Sequence, residues 1–162
     1  MLGLTIGKKN SNALIPQKEM VQVGIIVEDV EKSARNWTEF LGLENPPSIS
    51  VASGHELNPT QFQGKPSKAT AKLAFFKLDN ITIELIEPDE QASTWREFLD
   101  TKGEGIHHIA FNVEDMDSRV KSFTTFGVSM IQHGGWATGE YSYMDGSEKL
   151  ALIIELLEHY KQ

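Results

Sequence analysis

The chain has 162 residues, enough for one domain, or for two small matched halves, around a sizeable core. Its formal net charge of −8 argues against nucleic acid or an anionic membrane surface as a partner, and no apolar run approaches the roughly 20 residues that a membrane span needs. There is no cysteine, which excludes disulfides, thiol nucleophiles and cysteine-based zinc sites and leaves metal chemistry to His, Glu, Asp and Gln.

The opening stretch, MLGLTIGKKNSNALIP, places its lysines after too short an apolar run for a secretory signal. Residues 1–19 read as a loosely held arm on a cytoplasmic protein. The segment VQVGIIVEDVEKSARNWTEFLGL (Val21–Leu43) then opens with a β-branched, period-2 strand. A Glu28-Asp29 turn follows, whose Asp can cap a helix. Val30, Ala34, Trp37 and Leu41 recur at helical spacing, and Gly42 stops the helix. ATAKLAFFKL and ITIELIE (Ile81–Glu87) read as further strands. In the connecting stretch PDEQASTWREFLDTKGEG, Thr94 and Glu97 stand at capping-box spacing before a short helix.

The second half repeats the script. HHIAFNVEDMDSRVKSFTTFGV (His107–Val128) again runs strand, acidic turn (Glu114-Asp115), helix (Met116, Val120, Phe123, Phe126) and glycine stop (Gly127). VSMIQHG, EYSYMD and LIIELLE (Leu152–Glu158) supply its later strands. The shared V-E-D turn and the shared E-L-[IL]-E close indicate a duplicated β-α-β-β-β unit. The expected organisation is an arm at 1–19 and one domain at 20–162, made of a module 20–88, a linker 89–102 and a module 103–160. The fold class is α+β.

Setting the repeats in register aligns QVGIIVED with HIAFNVED, so Gln22 stands opposite His108, and Glu84 opposite Glu155. Neighbouring side chains on a regular strand point to opposite faces, so His107 and His108 are not expected to share a site. A charged side chain inside an apolar strand is costly unless it is paired or coordinated. Gln22, Glu84, His108 and Glu155 together suit one divalent ion (Zn, Ni, Co or Mn) with positions left for water or substrate. Read singly, each has a plain structural reading: a solvated edge Gln, a satisfied His, a solvent-facing Glu. Glu87 and Glu158 fall on the other face and read as solvated. Lys65, Lys68, Lys72 and Lys77 suit either an anionic ligand or edge-strand protection. Trp136, Tyr141 and Tyr143, among glycines in GGWATGEYSY, fit either a lid or a hairpin with core aromatics. His55, His133 and His159 read as loop and tail residues without a role.

From Val21 to Glu158 the chain resembles the vicinal oxygen chelate superfamily, which includes glyoxalases, bleomycin-resistance proteins and dioxygenases. ELIEPDEQASTWREFLDTKGEGIHHIAFNVEDM is similar to the methylmalonyl-CoA epimerase pattern, in which the second histidine of the pair is the metal ligand, mapping onto His108. LIIELLE resembles the closing strand, whose Glu is ligand and often base, mapping onto Glu155. QVGIIVEDV lies where the family usually opens with His, so Gln22 takes that ligand's place. The set Gln22, Glu84, His108 and Glu155 looks more like that of some glyoxalase I (lactoylglutathione lyase) enzymes.

The resemblance implies two βαβββ modules forming a curled mixed sheet around a single pocket, in a homodimer. It also implies a metal-dependent lyase or isomerase acting on a thioester, α-keto or hemithioacetal substrate. A proton next to a metal-bound carbonyl would be removed through an enolate or enediolate, by Glu155 first and Glu84 second. The alternative is a non-catalytic small-molecule-binding protein of the bleomycin-resistance kind.

Overall fold

The structure, a computed structural model, describes residues 13–161; the part of the expected arm at 1–12 lies outside the described residues. The first module runs β1 (Met20–Ile26), α1 (Val30–Leu41), β2 (Ser50–Ala52), a small hairpin of β3 (Gln61–Phe62) and β4 (Lys65–Pro66), β5 (Ala71–Lys77) and β6 (Thr82–Pro88). Helix α2 (Thr94–Lys102) links it to β7 (Gly105–Asn112), α3 (Met116–Phe126), β8 (Ser129–Trp136), β9 (Gly139–Gly146), α4 (Ser147–Leu150) and β10 (Leu152–His159).

The strands form one mixed sheet in the order β2-β5-β6-β1-β7-β10-β9-β8-β3-β4. Its symmetry is that of the duplicated unit. β1 pairs parallel with β6, and β7 parallel with β10, while the antiparallel β1–β7 ladder is the seam between modules. The β3–β4 hairpin breaks the symmetry: it leaves the first module and pairs with β8 of the second. It thereby covers an edge that would otherwise offer unpaired backbone groups.

Period 2 along the strands sorts side chains into three apolar clusters. On the outer face, Val23, Ile25, Ile83 and Leu85 pack under α1 through Val30 and Ala34. Ile109, Phe111, Ile154 and Leu156 pack under α3 through Met116 and Phe123 in the same way. Leu14 and Ile15 join that third cluster, and Arg119 Nη1 donates to the Leu14 carbonyl at 3.1 Å. On the inner face, Ile26, Ile86 and Tyr143 pack with α2 through Trp95, Phe98 and Leu99. Helix α2 therefore fills the inside of the curl, and the two module helices shield the outside.

The helix ends follow the expected chemistry with one correction. Asp29 and Asp115 cap α1 and α3, and Gly42 and Gly127 end them at φ 67° and 92°. For α2 the cap is Ser93, whose hydroxyl accepts from Arg96 N, so the helix starts one residue earlier than a Thr94–Glu97 box implies. Thr94 N is left for a tertiary partner, the buried Gln132 Oε1 at 2.8 Å.

Glu87 and Glu158 are not simply solvated. Glu87 Oε2 accepts from Val30 N at 2.9 Å, and Glu158 Oε2 accepts from Met116 N at 2.8 Å. Each closing strand thus places a carboxylate on the first free N–H of its own module's helix, where the backbone dipole favours negative charge. Replacing either Glu87 or Glu158 with Ala is expected to cost about 1–2 kcal/mol in urea unfolding, and the double variant close to the sum. A cost near zero for both would show the pairing to be dispensable.

Candidate metal centre

The four strands around the module seam bring the four singled-out residues together in two rows. In one row Glu84 of β6 lies beside Gly24 of β1, which pairs with His108 of β7. In the next, Gln22 of β1 pairs with Ala110 of β7, which lies beside Glu155 of β10. Each row therefore runs long, small, long. The small residue supplies the room into which its neighbours lean. At Gly24 that room is already taken, because an added Cβ would fall 2.0 Å from Cε1 of the His108 ring and the ring would have to move.

All four are buried, His108 completely. His108 Nε2 lies 3.0 Å from Glu155 Oε2 and 3.5 Å from Glu84 Oε2. One ligand atom from each of Glu84, His108 and Glu155 can be chosen so that all lie within 4.8 Å of one another. Gln22 Oε1, Glu84 Oε2, His108 Nε2 and Glu155 Oε2 are also buried without a hydrogen-bond partner. Unpaired buried polar atoms are costly, and here they are the atoms that could coordinate an ion. A divalent ion fits this donor set. It would satisfy atoms the fold leaves unpaired, and two carboxylates would balance its charge. Burial, and then the neighbouring Glu155 charge, hold the Glu84 carboxyl well above the usual carboxylate range, so without a cation the site favours a proton there.

The histidine pair overturns the expectation of opposite faces. In the β1–β7 ladder Gly24 pairs with His108 but Ile25 pairs with Ile106, so His107 is the extra residue of a bulge. The bulge turns both rings inward, and their Nδ1 atoms lie 3.0 Å apart. His107 is buried as well, packed edge-on to Phe98 and Tyr143. Burial first, then the adjacent His108, push its pKa well below the ordinary histidine value, so it is neutral at physiological pH. The Thr94 backbone approaches the ring, but Nε2 finds no partner in hydrogen-bonding geometry.

The candidate centre opens into a cavity of about 640 Å³. Gln22, Glu84 and Glu155 lie in its wall, with Leu73, Phe75 and Leu157 as apolar lining. Tyr141 and Tyr143 are core residues that also line it. Tyr143 OH accepts from Trp95 Nε1 at 2.9 Å, and Tyr141 OH accepts from Gln132 Nε2 at 3.1 Å. Burial pushes both phenols up, which keeps them neutral. Of the four lysines singled out, Lys77 lines the cavity; Lys72 pairs with Glu87 at 3.0 Å, and Lys65 and Lys68 are exposed and do not line it. Trp136 lines the cavity and packs at a tilt against His159. His55 and His159, to which the sequence reading gave no role, also line it. Gly24 and Ala110 were missed as site-forming residues, although they are equivalent positions of the repeat.

Comparison with known proteins places the fold. The model of the Glyoxalase/Bleomycin resistance protein/Dioxygenase superfamily matches residues 21–143. The uncharacterized protein YqjC of Bacillus subtilis (strain 168) is 29% identical over 89 residues, 53% of this chain; the match spans 64% of that relative's length. Among solved structures, a hypothetical protein from Bacillus halodurans C-125 superposes with a TM-score of 0.60 at 23% identity, covering 89% of this chain and 96% of that one. Methylmalonyl-CoA epimerase from Mycobacterium tuberculosis gives 0.60 at 21% identity, covering 94% and 93%. A Streptomyces coelicolor methylmalonyl-CoA epimerase in complex with 2-nitronate-propionyl-CoA gives 0.59 at 18%, covering 87% and 94%. At these identities the likeness is one of fold.

Two substitutions test the geometry. Gly24→Ala is expected to displace the His108 ring, lowering stability by about 1–3 kcal/mol and metal content to that of a His108→Ala control; wild-type metal content would refute the packing. Glu84→Gln acts with opposite signs on the two states. In metal-free protein, the raised Glu84 pKa means that stability is full below the unfolded value of 4.5 and falls as pH rises above it. Glu84→Gln is therefore expected to raise the metal-free Tm by a few degrees at pH 7–8 and flatten that decline. The same change is expected to weaken the stabilisation that added Zn²⁺ gives. A lower metal-free Tm in the variant would contradict the pairing of two buried acids.

Proposed function

The chain belongs to the glyoxalase/bleomycin resistance protein/dioxygenase superfamily, and we propose that it is a divalent-metal-dependent isomerase or lyase that moves a proton on the carbon next to a carbonyl. The observation that carries this reading is the convergence of unpaired buried Glu84 Oε2, His108 Nε2 and Glu155 Oε2 on one point, in the wall of a cavity large enough for a small molecule. Gln22, Glu84, His108 and Glu155 would hold the ion. When bound, the ion supplies Lewis-acid stabilisation of the negative charge that develops on the substrate oxygen.

This chain's residues supply the rest. Glu155 takes the proton and returns it, either to the other face of the same carbon or to the next carbon. Glu84 is the second candidate for that role. Of the two, Glu84 is made the more basic by its burial and then by the neighbouring Glu155. Leu73, Phe75 and Leu157 exclude water from the reacting carbon. Tyr141 and Tyr143, kept neutral by burial, fix the cavity wall without competing for the proton. Thioesters, α-keto compounds and hemithioacetals fit the reading, and the methylmalonyl-CoA epimerases with this fold make acyl thioesters the first set to try.

Metal content per chain, measured by plasma mass spectrometry on tag-free protein, is expected to be near one divalent ion and to fall away in His108→Ala. With the metal-loaded chain, solvent deuterium is expected to enter the α-carbon of a substrate thioester or α-hydroxyketone. Glu155→Gln is expected to slow that exchange by about 10²–10⁴-fold, with its metal content measured alongside. An absence of ion after incubation with Ni²⁺, Co²⁺, Zn²⁺ and Mn²⁺ would overturn the proposal and leave a small-molecule-binding protein.

A further inference from the structure

Lys72 and Lys77 stand on one strand, β5, but on opposite faces of the sheet. Lys72 shares the outer face with Ala74 and Phe76, which pack under α1, and its ammonium is closed by Glu87 at 3.0 Å. Lys77 shares the inner face with Leu73 and Phe75, and all three line the large cavity. Among the described residues, no ion pair engages Lys77.

Its place in the sheet sets its distance from the candidate centre. Lys77 pairs with Thr82, and Thr82 with Gln22, so the three stand in one row. Two strand spacings put the Lys77 and Gln22 backbones about 10 Å apart, and the flexible lysine stem spans part of that gap. Thr82, between them, also lines the cavity and offers a hydroxyl. The charged residues in the wall are Glu84, Glu155 and Lys77, with His55 and His159 as its other basic residues. On the metal reading the two carboxylates balance the ion, which leaves the Lys77 ammonium as the formal charge that faces a bound molecule. Val51, Leu73 and Phe75 make the wall around it apolar, a setting that strengthens a charge-assisted hydrogen bond.

The geometry points to Lys77 as the residue that selects the substrate: a carbonyl compound that also carries a carboxylate, about two or three carbons from the carbonyl on the ion, with that carboxylate accepting from Lys77 Nζ. This inference rests on the metal reading of the centre and narrows it, from carbonyl compounds at large to acids. Lys77 binds and orients, and takes no part in the proton transfer.

The test measures binding rather than turnover. The full chain, loaded with Zn²⁺, is titrated by calorimetry at low salt with two compounds. One is N-hydroxysuccinamic acid, whose hydroxamate chelates zinc and whose far end is a carboxylate; the other is the matching terminal amide. The acid is expected to bind about tenfold more tightly than the amide. Lys77→Met is expected to remove that difference and Lys77→Glu to reverse it, while Lys72→Met, an equal loss of charge outside the cavity, is expected to keep it. Lys77 is exposed, so its replacement leaves the core intact. A Zn²⁺-loaded chain that binds neither compound, or both equally, would overturn the proposal. So would a preference that survives Lys77→Met, which would assign it to His55, His159 or the ion, or one lost equally in Lys72→Met, which would assign it to overall charge. Failure of the metal reading shows separately, as an absence of Zn²⁺ uptake before any ligand is added, and takes this proposal with it.

Discussion

The His108 ring occupies the space that a side chain on residue 24 would take. Everything at the centre depends on that contact. The antiparallel seam between β1 and β7 sets Gly24 opposite His108, and only a residue without a Cβ lets the imidazole lie across the strand toward the carboxylates of β6 and β10. The neighbouring row repeats the device with Ala110 between Gln22 and Glu155. Two small residues, at equivalent points of a duplicated unit, thus make a pit in the sheet, and four long polar side chains fill its rim.

The remaining architecture buries this pit between layers. Helices α1 and α3 cover the outer face, each tethered by a carboxylate at the end of its module's closing strand. Helix α2 occupies the inner face and is anchored at its start by Gln132 and through Trp95 by Tyr143. A sheet shielded on both sides provides a low-dielectric setting in which two carboxylates repel strongly and a cation is held strongly. The same burial that makes the metal-free centre costly makes it a good receptor for an ion. Such a conflict between stability and site chemistry is expected where a fold serves function.

Nearly all of the strand and helix order could be read from the residues, because period-2 and period-3.6 patterns survive in strands and helices that bury one face. Glu84 and Glu155 stood out because charges inside apolar strands contradict that pattern. Glu87 and Glu158 lie on the same strands and were read as solvated, because a helix terminus that needs an acceptor is a tertiary neighbour, invisible along the strand. The hairpin of β3 and β4 escaped for a similar reason: two-residue strands carry no periodicity, and their partner β8 is about 70 residues away in sequence.

The sequence by itself determined the duplicated βαβββ plan, the α+β class and the identity of four polar residues at matching strand positions. Each of these is a local property, written in side-chain order and repeated. What only the tertiary structure decided is how those residues meet. The bulge at His107 broke the alternation that strand geometry predicts, since a bulge is set by the register of two strands paired across the chain rather than by either strand alone. That one extra residue turns a second histidine inward and puts its Nδ1 3.0 Å from that of His108, a contact that no reading of the strand in isolation contains.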